Sequence, residues 1–243
     1  MAETARGERL REWLRATDLE LIGALLVIAL LLYAFLELGE DTLTIDERIL
    51  LALRTPDDLS RGLGGLSVEG MMRDLTALGS GTIAFLVALA FVGWLLLTRR
   101  PGAALFVTIA MLGAGVLNEL LKESFGRERP TIVPYLMGAS DLSFPSGHTM
   151  VSAVLYPTMA ELVGRMMGPR SVRIYLMSFA LLVTLLVAFS RVYLGVHYPS
   201  DVLGGLSAGF ASALVCGIAA RLLQRRGVFR TSPAQEPGLD PPP

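Results

Sequence analysis

Long apolar runs alternate with short polar stretches along this chain. The first 20 residues are polar and rich in Arg and Glu, and residues 21–38 are then almost wholly apolar. Further apolar runs occupy 78–98, 103–121, 149–167, 172–189 and 202–223. Each approaches the ~20 residues that a helix needs to cross about 30 Å of hydrocarbon. The pattern predicts an all-α polytopic membrane protein, a bundle of six transmembrane helices. The 149–167 run is less apolar than its neighbours and carries Glu161 and Arg165. A signal peptide is the competing reading of 21–38. Its charged region would be unusually long, and no small-residue cleavage site follows Leu38, so the run is read as a retained first span.

Between the first two runs, 41–74 is mixed. Residues 45–53 (IDERILLAL) have roughly helical apolar spacing. Two readings stay open: a short amphipathic helix on the membrane surface, or a solvated connection. Pro101-Gly102 marks a turn between the second and third runs. The end of the chain, 226–243, is Pro-rich from Thr231 onward and is expected to be disordered. No internal repeat or second domain is visible, so 1–225 reads as one domain with its core at about 20–225.

Composition supports the membrane reading. Hydrophobic residues make up 53% of the chain and charged residues only 18%, with a mean hydropathy of +0.56. A soluble domain normally carries more charge. The net charge of -1 gives no footprint for nucleic acid, and no such partner is expected. The single cysteine, Cys216, lies in an apolar run and cannot form an intrachain disulfide.

Basic residues in short connections set the orientation. Arg6, Arg9, Arg11 and Arg15 precede the first run, and Arg99 and Arg100 separate the second and third. Arg165, Arg170 and Arg173 surround the turn between the fourth and fifth, and Arg221, Arg225, Arg226 and Arg230 follow the sixth. With six spans all of these fall on one side, the cytoplasmic one, together with both termini. Lys122, Arg127, Arg129 and Arg191 then lie on the outer side and require a different explanation.

Three motifs supply it. Lys122, Arg129 and Pro130 stand in the pattern K-x6-R-P. Pro145, Ser146, Gly147 and His148 follow as P-S-G-H at the start of the fourth span. Ser190, Arg191, His197 and Asp201 form S-R-x5-H-x3-D between the fifth and sixth. All three fall on outward connections. Together they resemble the signature of the type-2 phosphatidic acid phosphatase superfamily, and every defining position matches. The six-span layout is similar to the membrane branch of that family over about residues 20–225. The vanadium haloperoxidases share the motifs but are soluble, which the apolar runs exclude here.

The residue types suit the implied chemistry. Both histidines of the chain fall in the motifs. His197 is the expected nucleophile, attacking phosphorus through Nε2. Asp201, four residues on and within reach across one helical turn, is expected to accept the Nδ1 proton and to stabilise the ring as it becomes cationic. Pro199 suits the first turn of the sixth span. His148 is the expected general acid and then general base. Ser146 caps the fourth span and is expected to contact phosphate as well. Gly147 allows an anion to approach the N–H groups of that helix start. Lys122, Arg129 and Arg191 are expected to hold the phosphate oxygens. Lys122 reads equally well as an anchor at the membrane interface. Arg127 either touches a second phosphate or faces water, and water is favoured. Segment 131–140, beside the phosphate loop, is expected to help select the substrate.

The cations are protein side chains, so no metal or other cofactor is expected, and the resemblance too implies metal-independent activity. The resemblance also implies phosphatidic acid, phosphatidylglycerol phosphate or undecaprenyl diphosphate as substrate, at the periplasmic or outer face of the inner (cell) membrane. Two rivals remain. One is a lipid phosphotransferase using the same phosphohistidine; the other is a non-catalytic transporter or scaffold.

Overall fold

The computed structural model describes residues 41–139 and 142–225, with side chains described for 44–139 and 142–215. The expected first span at 21–38 and the tail at 226–243 lie outside these residues. The described chain runs α1 (Asp41–Ala52), a two-stranded antiparallel hairpin of β1 (Arg54–Thr55) and β2 (Asp58–Gly62), α2 (Gly65–Ala77), α3 (Gly81–Leu97), α4 (Pro101–Phe125), α5 (Gly147–Met167), α6 (Arg170–Tyr193) and α7 (Pro199–Arg225).

Of the two readings of 45–53, the helical one is realised, with an unexpected orientation. Asp46 and Leu50 face inward and are buried, while Ile45 and Ile49 are 49% and 40% exposed. The helix thus buries an acid and turns apolar side chains out.

Local chemistry sets the ends of the long helices. Ser80 caps α3 by accepting from the Ile83 N–H at 3.3 Å. Pro101 fills the first turn of α4, where its missing N–H costs nothing. Gly126, at φ 57°, ends α4 in the left-handed conformation that glycine tolerates best. Pro199 opens α7 in the same way as Pro101 opens α4.

Length and hydropathy single out α4 (mean hydropathy 1.9) and α6 (2.2) as helices able to cross a membrane. A third candidate is the α2–α3 pair, bent by 46°, if the two are taken as one span. α5 and α7 are long enough, at 21 and 27 residues, but do not reach the same apolarity. Packing supplies the reason for α5. It lies against α3, α4, α6 and α7, and Thr149, Ser152, Ala153, Thr158, Ala160 and Gly164 are all buried in it. A helix shielded by protein is free to use small and polar side chains that allow close approach. Gly209 of α7 shows this closeness: a Cβ there would stand 2.7 Å from the Cβ of Ala153 and the carbonyl oxygen of Met150. By contrast only 28% and 22% of the apolar windows of α4 and α6 are buried.

The segment from α1 to α2 braces the connections at one end of the bundle. Buried Arg54 donates from Nη1 to the Tyr193 carbonyl (2.7 Å) and from Nη2 to that of Pro134 (3.3 Å). Arg73 donates to the Leu136 carbonyl at 2.9 Å, and the Tyr193 hydroxyl to that of Leu63 at 2.8 Å. Gly195, at φ +74°, lies so close that a Cβ would come within 2.3 Å of Arg54 Nη2. A side chain there would meet both backbone strain and the guanidinium.

Candidate active site

The three motif segments meet at that braced end. Lys122 stands in the last turn of α4. His148 is the second residue of α5, directly after Gly147. Ser190 and Arg191 belong to the last turn of α6 and not to the connection after it, where the sequence reading put them. Helical geometry carries the motif further than the apolar run, which fades at Phe189. His197 sits in the short link between α6 and α7.

Six of the eight expected site residues line one cavity of about 190 Å³: Lys122, Arg129, Gly147, His148, Arg191 and His197, together with Met137, Gly138 and Ala139. The last three fall in the 131–140 segment. Three cationic side chains and two imidazoles therefore share one small space. Among the described residues no carboxylate lines it. Nor, among them, does any group of three or more His, Cys, Asp or Glu stand close enough to hold a metal ion.

His197 is almost fully buried. Arg129 Nη1 donates to the Val196 carbonyl at 2.5 Å and stands 3.2 Å from His197 Nε2. A guanidinium only donates, so this contact makes Nε2 the acceptor and puts the ring proton on Nδ1. Burial pushes the imidazole from its ordinary 6.5 down to about 4; the Arg191 and Arg129 charges add to this, and Asp201 opposes it. At neutral pH His197 is a neutral base with its lone pair on Nε2. Arg191, itself buried, donates from Nη1 to Thr76 Oγ1 of α2 at 3.1 Å and touches Met137 Sδ at 3.2 Å.

Asp201 and Ser146 lie behind the cavity wall. Asp201 Oδ2 is 3.6 Å from His197 Nδ1, longer than a hydrogen bond, and Nδ1 has no hydrogen-bond partner. Oδ2 accepts instead from the Tyr198 N–H (2.8 Å) and the Ser143 hydroxyl. Ser146 is fully buried; its N–H donates to the Asp201 carbonyl at 3.0 Å and its hydroxyl accepts from Thr149 at 3.0 Å. These contacts tie the start of α5 to the start of α7.

Arg127 overturns the expectation that it faces water. Its guanidinium reaches Asp201 Oδ1 (2.9 Å) and Asp46 Oδ2 (3.2 Å), donates to Ser200 Oγ (2.8 Å), and lies 4.5 Å above the Tyr198 ring. Asp46 also takes the Ser200 N–H at 3.0 Å and the Ser200 hydroxyl. Sequence reasoning missed Asp46, Ser143 and Ser200. Ser200 carried a signal, since it stands between Pro199 and Asp201 inside a motif. Asp46 carried none.

Comparison with known proteins finds relatives in sequence and in structure. A sequence profile described as the PAP2 superfamily matches residues 101–224. The chain is 33% identical over 142 residues to phosphatidylglycerophosphatase B of Bacillus subtilis, covering 57% of this chain and 68% of that protein. It is also 33% identical over 131 residues to a putative undecaprenyl-diphosphatase of Escherichia coli, covering 52% of this chain and 62% of that one. Among solved structures, a transmembrane PAP2-type phosphatidylglycerolphosphate phosphatase from Bacillus subtilis superposes with a TM-score of 0.70 at 27% identity, over 84% of this chain and 98% of the other.

Proposed function

The chain belongs to the PAP2 superfamily, and from that membership we propose that it removes phosphate from a membrane lipid phosphate or diphosphate through a phosphohistidine on His197. The observation that carries this reading is the convergence of His148, His197, Lys122, Arg129 and Arg191 on one cavity.

In this mechanism the Nε2 lone pair of His197 attacks phosphorus and forms a P–N bond. The P–O bond to the lipid breaks, and protonated His148 gives its proton to the leaving oxygen. Neutral His148 then takes a proton from water, the hydroxide attacks phosphorus, and the P–N bond breaks. Inorganic phosphate leaves and both imidazoles return to their starting states. Lys122, Arg129 and Arg191 oppose the charge on the equatorial oxygens, which is the main electrostatic task in phosphoryl transfer. Gly147 lets the anion approach the first turn of α5, where N–H groups have no partner within the helix. Asp201 offsets the positive charge that grows on His197, and Ser146 holds the start of α5 against α7. No metal is required.

The substrate class follows from the relatives. One is named for phosphatidylglycerophosphate and another for undecaprenyl diphosphate; we extend to this chain a lipid phosphate or diphosphate of that kind, with phosphatidic acid as a third candidate. We place the site at the outer face of the inner membrane, with six spans and both termini in the cytoplasm. The arginine distribution supports that orientation.

The test is phosphate release by the purified chain in detergent, over a panel of these lipids with EDTA present and with and without an acceptor lipid. Release in EDTA without acceptor is expected. Transfer only to the acceptor identifies a phosphotransferase, and a strict need for added magnesium refutes the mechanism.

A further inference from the structure

The family match begins at residue 101, yet a residue far upstream reaches the back of the proposed nucleophile. Asp46 of α1 is 2% exposed and accepts from the Ser200 N–H, the Ser200 hydroxyl and Arg127 Nη2. Arg127 is thereby held between two carboxylates, Asp46 at 3.2 Å and Asp201 at 2.9 Å, with its guanidinium carbon 4.5 Å from the centre of the Tyr198 ring. A buried acid without such partners would be strongly unfavourable, and apolar side chains in place of these buried charges would serve folding at least as well. The arrangement calls for a reason beyond folding.

Charge counting supplies one. Arg127 and Asp201 alone form a neutral pair, and a neutral pair does little for a ring that becomes cationic in front of it. The wall before that ring is already positive, with Arg129 3.2 Å from Nε2 and Arg191 in the same cavity. A second carboxylate on Arg127 leaves one net negative charge behind His197, whose Nδ1 stands 3.6 Å from Asp201 Oδ2. It also fixes the start of α7 through Ser200, and so fixes where Asp201 points.

We propose that Asp46, acting through Arg127 and Ser200, is a positioning residue for the His197–Asp201 pair, which makes α1 part of the catalytic unit. This rests on His197 being the nucleophile. Asp46 touches no substrate. It favours the state in which His197 carries a bond to phosphorus and a positive charge, and it leaves the binding of a free phosphate ion to the cavity wall.

Orthovanadate and inorganic phosphate separate the two effects, because vanadate accepts a fifth ligand from a nucleophile and phosphate does not. The full chain in detergent is assayed for phosphate release from a short-chain phosphatidic acid, with both anions as inhibitors. Asp46→Asn is expected to lower kcat about tenfold with KM within about twofold. Its inhibition constant for vanadate is expected to rise about tenfold, while that for phosphate stays within about twofold. Asp46→Glu, which keeps the charge, is expected to recover most of both. A lower kcat with an unchanged vanadate constant means only that fewer molecules are folded, and it overturns the proposal. So does a variant indistinguishable from the parent. If Asp46→Asn does not purify in folded form, Ser200→Ala takes its place. It is expected to weaken vanadate about threefold and phosphate not at all, and an unchanged ratio is equally fatal. His197→Ala runs alongside: activity surviving that change removes the nucleophile reading itself, whereas its loss beside an unaffected Asp46→Asn removes only the role of Asp46.

Discussion

Arg127 and Arg129 are two residues apart in one loop, yet they serve opposite sides of His197. Arg129 lines the cavity and stands 3.2 Å from Nε2. Arg127 turns behind the ring and is held by Asp46 and Asp201. The contrast extends to the regions they belong to. The wall gathers Lys122, Arg129 and Arg191 with no described carboxylate among its lining residues. The scaffold behind it pairs its arginine with acids and saturates each acid with donors. A wall of one sign attracts a phosphate and destabilises itself; a scaffold of opposite net charge, with every acid hydrogen-bonded, keeps that wall in place. Changes in the wall are expected to act on chemistry and phosphate binding, and changes in the scaffold to act through the wall.

The largest effect is expected at His197. His197→Ala removes the atom proposed to bond to phosphorus, and phosphate release is expected to fall by about 10⁴ or more. Near-normal activity in this variant would break the comparison at its centre.

Acid pH sharpens it next. Because burial holds the imidazole near 4 and not 6.5, the loss of kcat/KM that His197 causes on acidification is expected near pH 4. A histidine with the ordinary value would keep only about 3% of its neutral form at pH 5. Stability follows the same group with a definite sign. Between 6.5 and about 4 the unfolded chain binds a proton at this position and the folded chain does not. This group therefore costs stability progressively as pH falls through that window, with no further loss below it. Melting curves of the parent and His197→Gln over pH 4 to 7 read the effect directly: the variant is expected to show a shallower decline.

How far the sequence reveals these two regions depends on what each has to satisfy. The convergence of the wall was legible because Lys122, Arg129, Gly147, His148, Arg191 and His197 stand at recognisable motif spacing, and all six line one cavity. Pro199 at the start of α7 was read correctly for a local reason, its fixed φ. The scaffold has no such code. Asp46 is one acid in a helix whose apolar pattern points the wrong way, with Ile45 and Ile49 outside. Arg127 lies in an irregular loop where no periodicity says which side of His197 a side chain takes. The membrane helices show a related limit. Hydropathy reports contact with lipid, so α4 and α6 stand out, while α5 spends its length on Thr, Ser, Ala and Gly packed against its neighbours.

A test within the wall comes next in size. Arg191→Lys keeps the charge but loses the planar fork, so one compact ammonium replaces two spaced nitrogens, of which Nη1 is held on Thr76 while the other can reach a phosphate oxygen. We expect kcat/KM to fall by about tenfold to a hundredfold, with the larger share in KM. Steady-state kinetics checks this. A loss of less than about twofold would mean that Arg191 supplies only field.

The smallest effect probes the scaffold where it meets the wall. Thr76 is buried in α2, outside the matched 101–224 segment, and its hydroxyl accepts from Arg191 Nη1 at 3.1 Å. Thr76→Val keeps the shape and removes the acceptor. A buried hydrogen bond to a charged group is worth about 1.5–3 kcal/mol, but Arg191 retains its contact with Met137 and can turn toward bound phosphate. Only part of that energy is therefore expected to reach the reaction, as a rise of about threefold to tenfold in KM with kcat nearly constant. Thr76→Ser restores the acceptor and is expected to restore KM. If Thr76→Val and Thr76→Ser behave alike, α2 supports the wall by packing alone and its hydroxyl plays no part in aiming Arg191.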